Sequence, residues 1–157
     1  MFQKYLIAFF VSMVPLIELR LGVPFAVGMG LDYWPSLVVC VVGNMLPVPF
    51  IYFFARKVLE WGADKKYIGK FFRFCLEKGE RGGQKLVKKA GRGGLFVALM
   101  LFVGIPLPGT GAWTGALAAS FLKMGIKSTA LSVSLGVVLA GIIMGLVSVG
   151  AFSIIGL

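Results

Sequence analysis

Thirty consecutive residues, 93–122, carry no charge, yet the middle of that run, GIPLPGTGAWTG at 104–115, holds two prolines and four glycines in twelve positions. An uncharged run of that length belongs in a bilayer, where about 20 apolar residues cross a core of roughly 30 Å as a helix. Proline removes a backbone donor and glycine weakens a helix, so this run does not cross as one continuous helix. Broken backbone at membrane depth survives only where protein or a water-filled cavity surrounds it. The run is therefore expected to form a re-entrant hairpin with two short arms. Its tip offers Pro106 and Pro108, backbone amides at Gly109 and Gly111, hydroxyls at Thr110 and Thr114, and the indole of Trp113.

A second break lies near the N-terminus. VPLIELRLGVPFAVGMG at 14–30 places Glu18 and Arg20 between Pro15 and Pro24, with no other charge between Lys4 and Asp32. An ionised side chain at bilayer depth costs ~2.5 kcal/mol or more, so two of opposite sign point to use. The two prolines lead us to expect both charges on unwound backbone between half-helices, the way many transporters build a mid-membrane site. The apolar run 5–17 would reach only about 20 Å as a helix. Residues 1–31 are accordingly read as a first hairpin rather than one long kinked span. The opening residues look like a weak signal peptide with no cleavage site, and are kept as mature chain.

Composition supports the bilayer as the solvent: 59% hydrophobic, 14% charged and a mean hydropathy of +0.94, where a soluble domain would be about 25% charged. There is no histidine, so the commonest general base and metal ligand is missing. The two cysteines, Cys40 and Cys75, read as structural. The expectation is no enzyme, no metal and no cofactor. Residues 35–55 are uncharged and long enough to span; Pro47 and Pro49 should kink that helix, and Asn44 can bond a freed carbonyl or reach a neighbouring helix. Residues 56–92 then carry 12 of the 16 basic side chains against four acids, which makes them cytoplasmic by the positive-inside rule. Ile68, Phe71, Phe72, Cys75 and Leu76 recur at helical spacing among lysines and arginines. This predicts an amphipathic helix on anionic headgroups rather than a nucleic-acid interface, ended by Gly79, Gly82 and Gly83. Gly136, Gly141 and Gly145 in the last apolar run permit close helix packing and are a candidate contact in a homodimer or larger assembly.

The halves also correspond: Val14-Pro15-Leu16 answers Ile105-Pro106-Leu107, each followed by a glycine-bearing stretch, a short arm, a polar break and a long span. A hairpin crosses zero times and a helix once, so the second half is inverted and both termini lie outside. The fold expected is a single all-α membrane domain over 1–157: hairpin 1–31, transmembrane helix 34–57, basic linker 58–92, hairpin 93–122 and transmembrane helix 128–154.

ELR followed by GVP at 18–24, with PLPGTGAWTGALA at 106–118, resembles the small multidrug export protein family over nearly the whole chain. More distantly, the break-and-helix repeat is similar to the DedA or SNARE-associated Golgi superfamily, whose bacterial members are implicated in moving polyprenyl phosphate carriers across membranes. Pro108-Gly109-Thr110 and Gly115-Ala116 fall where that superfamily has a like pattern. Its second hairpin typically carries arginine, and 104–122 here has no charge.

These residues imply a multi-pass inner-membrane transporter or flippase for an amphiphile, foremost an anionic isoprenoid phosphate. Arg20, backbone amides and half-helix N-termini would hold the anion. Glu18 would couple to protons, since burial and a neighbouring guanidinium pull a carboxyl's titration in opposite directions. Pro106, Pro108, Gly109, Thr110, Gly111, Trp113 and Thr114 complete the expected site. The alternatives are export of cationic drugs on Glu18, or a non-transporting assembly protein in which Glu18 and Arg20 neutralise each other as a structural pair.

Overall fold

The computed structural model describes residues 1–15, 17–107 and 110–155; Pro108 and Gly109 lie outside the described residues, as does the side chain of Cys75. It is all-helical, with no strand among the described residues. The elements are α1 (Phe2–Met13), α2 (Glu18–Gly28), α3 (Tyr33–Met45), α4 (Pro47–Ala63), α5 (Gly69–Gly104), α6 (Ala112–Phe121) and α7 (Ile126–Ile155).

Prolines set several of these ends. A proline ring disfavours the helical region for the residue before it, and both Val14 and Ile105 are extended, with ψ of 130° and 119°. α1 and α5 stop there. Pro47 stands at the start of α4, where a missing N–H costs nothing, and a turn at Leu46 separates it from α3. Pro24 behaves differently: α2 continues through it to Gly28. The expectation of unwound backbone as far as Pro24 is thus corrected from Arg20 onward, which lies within α2. Among the described residues the departures from helical geometry are at Val14, which is extended, and at Glu18, whose φ of 50° is left-handed, so the carboxylate does sit on non-helical backbone. Pro24 is accommodated by packing, since Leu19, Val23 and Ala26 are at most 1% exposed against α1, α3 and α7. That burial outweighs the one helical bond that Pro24 removes.

Residues 79–83 also differ from expectation, because α5 runs through them. The departure from helical geometry comes at Gly91, with φ 69° and ψ −178°, a region open essentially to glycine alone. One kinked helix therefore joins the basic segment to the first arm of the second break.

Tyr33–Ala63 and Ile126–Ser148 are long and apolar enough to cross a membrane, at 31 and 23 residues. Phe10, Phe50, Phe54 and Leu146 stand 60% to 72% exposed, an outer surface made for lipid. Inside, α1 packs on α2 and α3, α5 packs on α6 and α7, and the two groups interlock as α2 on α7 and α4 on α6. Close backbone approach holds helices together where apolar attraction between them is absent. A Cβ on Gly43 would lie 2.5 Å from the Phe9 carbonyl, and one on Gly136 2.6 Å from that of Met100. Gly141 faces Leu37 and Gly145 faces the Tyr33 ring. Gly136, Gly141 and Gly145 thus serve packing within the chain, which corrects their assignment to a subunit contact.

α2 and α6 close alike. Leu31 N–H donates to the Ala26 carbonyl at 3.2 Å and Met124 N–H to that of Ala119 at 3.0 Å. Each turn passes through a residue of positive φ, Gly30 at 78° and Lys123 at 54°, the usual way of satisfying a helix's last carbonyls.

Candidate functional site

Side chains two apart on a helix leave on different faces, and Glu18 and Arg20 use this to reach opposite ends of the break at 105–111. Arg20 goes to the C-terminal end of α5. Its Nη2 donates to the carbonyls of Val103 at 3.3 Å and Ile105 at 3.2 Å and to Thr110 Oγ1 at 2.7 Å, and its Nη1 donates to the Leu107 carbonyl. Carbonyls at a helix end lack helical donors and carry partial negative charge, so a five-donor cation fits them. Thr110 Oγ1 also lies 2.9 Å from both the Ile105 and Leu107 carbonyls.

Glu18 goes to the N-terminus of α6. Its Oε2 accepts the Ala112 N–H at 3.3 Å and its Oε1 the Trp113 N–H at 3.2 Å, and the residue is 6% exposed. A third stitch runs the other way, from Trp113 Nε1 to the Met13 carbonyl at the end of α1, at 3.2 Å. Each charge is directed at backbone of the second break and not at the other charge. The two charges nevertheless lie close enough to attract each other.

Gly111 shows how tightly the carboxylate sits, for a Cβ there would overlap Glu18 Oε2. Its φ of 167° is ordinary extended backbone, so space alone demands glycine. Gly111→Ala is expected to displace the carboxylate from α6 and destabilise the fold by about 2 kcal/mol, given charge-assisted bonds worth ~1.5–3 kcal/mol each. Thermal unfolding in detergent measures this, and an unchanged midpoint would show that the carboxylate is not held there.

Beside these contacts lies a cavity of about 420 Å³, lined by Glu18, Arg20, Pro106, Thr110, Trp113 and Thr114 together with Pro15, Leu21, Leu107, Leu117 and Met144. Six residues singled out from the sequence are thus brought to one wall. Gly111 lies behind Glu18, and its carbonyl accepts from Thr114 Oγ1 at 3.3 Å. Pro108 and Gly109 are outside the described residues. Pro15, Leu21, Leu107, Leu117 and Met144 were not among the expected site residues. Leu117 follows Trp113 by four residues and so shares its helix face, a signal that was there to use. Met144 had none, because 135–147 of α7 carry no polar side chain to mark a face.

Residues 18–143 match the family described as "Putative small multi-drug export protein", a stretch that starts at Glu18 and takes in every lining residue except Pro15 and Met144. No curated protein and no solved structure matches the chain. With most of its length, both charges and the second break inside that match, the chain belongs to the small multi-drug export protein family.

Proposed function

We propose that the chain exports small amphiphilic cations, with the 420 Å³ cavity as substrate site and Glu18 as the proton-coupling group. The unequal state of the two charges carries this reading. The Arg20 fork already meets three carbonyls and a hydroxyl. The Glu18 carboxylate, with about four lone-pair sites, accepts two N–H groups and keeps capacity for a cation. The Trp113 ring beside it offers a π-face to the same charge. An isoprenoid phosphate would require the guanidinium to leave its acceptors, so that substrate becomes an outcome of the test.

In this reading the two breaks are equivalent parts of an inverted repeat of re-entrant hairpin plus crossing helix. The support is positional: Gly30 and Lys123, Leu31 and Met124, and Gly43 and Gly136 each stand 93 residues apart and do the same work in their halves. Glu18 and Gly111, in contact, have that spacing too. Both termini then lie outside the inner membrane, and 56–92 lies in the cytoplasm against anionic headgroups. Lys65 Nζ, 4.4 Å from the Trp61 ring centre, and the exposed Tyr67 and Phe71 supply the aromatic and basic groups of such an interface. Half-length hairpins call for protein around them, and a second copy of the chain provides it.

Flux in proteoliposomes tests the substrate. Gradient-driven movement of tetraphenylphosphonium, without movement of an isoprenoid phosphate, is the expected result. Movement of the phosphate alone would transfer the site to Arg20. No movement of either by a monodisperse protein would favour the assembly role.

A further inference from the structure

Asn44, near the end of α3, is 2% exposed, and its Oδ1 has no hydrogen-bond partner. It lines a narrow gap beneath the cavity together with Glu18, Arg20, Val103, Gly111 and Val137. The gap has no room for a water-sized sphere, so a bridging water is not the missing partner. A buried acceptor left unpaired is costly, and the donor has to come from the lining itself. The Arg20 donors go to the second break. Glu18, as a carboxylate, has no hydrogen to give.

We infer that Asn44 is the partner of Glu18 in its protonated form, so that the gap is a proton site built from these two side chains. The inference rests on the assignment of Glu18 as the coupling group. A proton arriving through the cavity, which Glu18 also lines, adds one hydrogen to Oε1 or Oε2. That oxygen then ceases to be a strong acceptor for α6, and its O–H turns to Asn44 Oδ1. Proton loading thereby loosens the first turn of α6, which carries Trp113 and Thr114 of the cavity wall. Asn44 is a positioning residue in this scheme.

The surrounding titratable groups do not compete. Lys4 of α1 bonds the Met29 carbonyl at the far end of α2, Asp32 and Tyr33 open α3 beside that end, and Lys127 stands at the start of α7. Cys40 lies against Gly22, one turn along α2. Among the described residues lining the gap, Arg20 is the other charge.

Asn44 is the sole asparagine in the sequence, so isotopic labelling of asparagine reports on it alone in the full-length reconstituted protein. The carboxamide signal is expected to move between neutral and acid pH in the parent and to stay fixed in Glu18→Gln. A signal that ignores pH, or that moves equally in Glu18→Gln, overturns the proposal. Asn44→Leu gives a second measure: at neutral pH it should unfold at the same temperature as the parent or higher, because the resting acceptor is unpaired. Loss of stability at neutral pH would mean that Asn44 already makes a structural bond, and would also overturn it. Neither readout needs transport, so a failed flux assay leaves this result standing on its own.

Discussion

Replacing Arg20 with alanine is expected to destabilise the protein by about 3 kcal/mol, the largest effect of any single change at the site. Three carbonyls and the Thr110 hydroxyl lose a donor together, and bonds to a charged group are worth roughly 1.5–3 kcal/mol each. The sum is reduced because the site opens on a cavity where water can reach some of the freed acceptors. Arg20→Lys should recover only part of the loss, since an ammonium is a point charge and cannot fork across several carbonyls. The double change with Glu18→Gln separates two accounts. If the charges neutralised each other, removing both would restore stability. Because Glu18 caps α6 and Arg20 caps α5, the double mutant is expected to be less stable than either single mutant. Unfolding in detergent measures all four proteins, and a double mutant as stable as the parent would refute the geometry.

Glu18→Gln is expected to do the reverse, sparing the fold and removing the coupling. Glutamine keeps one acceptor oxygen for the N–H groups of Ala112 and Trp113 and loses the charge that favours a helix N-terminus, a cost of about 1 kcal/mol. In a cavity whose walls are otherwise intact, substrate should still bind but more weakly, having lost the carboxylate that meets its charge. Its movement should no longer respond to an imposed pH gradient, since the amide has no proton to load. Binding and gradient-driven flux of tetraphenylphosphonium, measured on one preparation, decide this. Undiminished gradient dependence in Glu18→Gln would remove Glu18 from the coupling.

Much of this was legible residue by residue. The extended conformations at Val14 and Ile105 follow from the prolines after them, a clash between adjacent residues that needs no tertiary context. The apolar lengths of Tyr33–Ala63 and Ile126–Ser148 are likewise plain from the run of residues. Pro24, and the glycines within 79–83, misled because local preference is weak beside packing. A helix buried against three neighbours tolerates a proline, and glycine lowers helix propensity by only about 1 kcal/mol. Gly136, Gly141 and Gly145 were recognised as packing residues but assigned the wrong partner, since small residues at helical spacing do not say whose backbone they admit.

The sequence by itself determined that this chain is helical, that it is apolar enough for a bilayer, that its helices stop at Val14 and Ile105 ahead of Pro15 and Pro106, and that two charges stand near the first of these breaks. Those properties come from hydropathy and from steric limits between neighbours, which are carried by a few consecutive residues. Only the tertiary structure decided what the charges do. The bonds from Arg20 to the second break and from that break to Glu18 join residues 83 to 95 positions apart. Whether such groups meet depends on how α2 seats against α5, α6 and α7, which no local preference encodes. The same seating left Asn44 in the lining of one gap with Glu18, its acceptor unpaired.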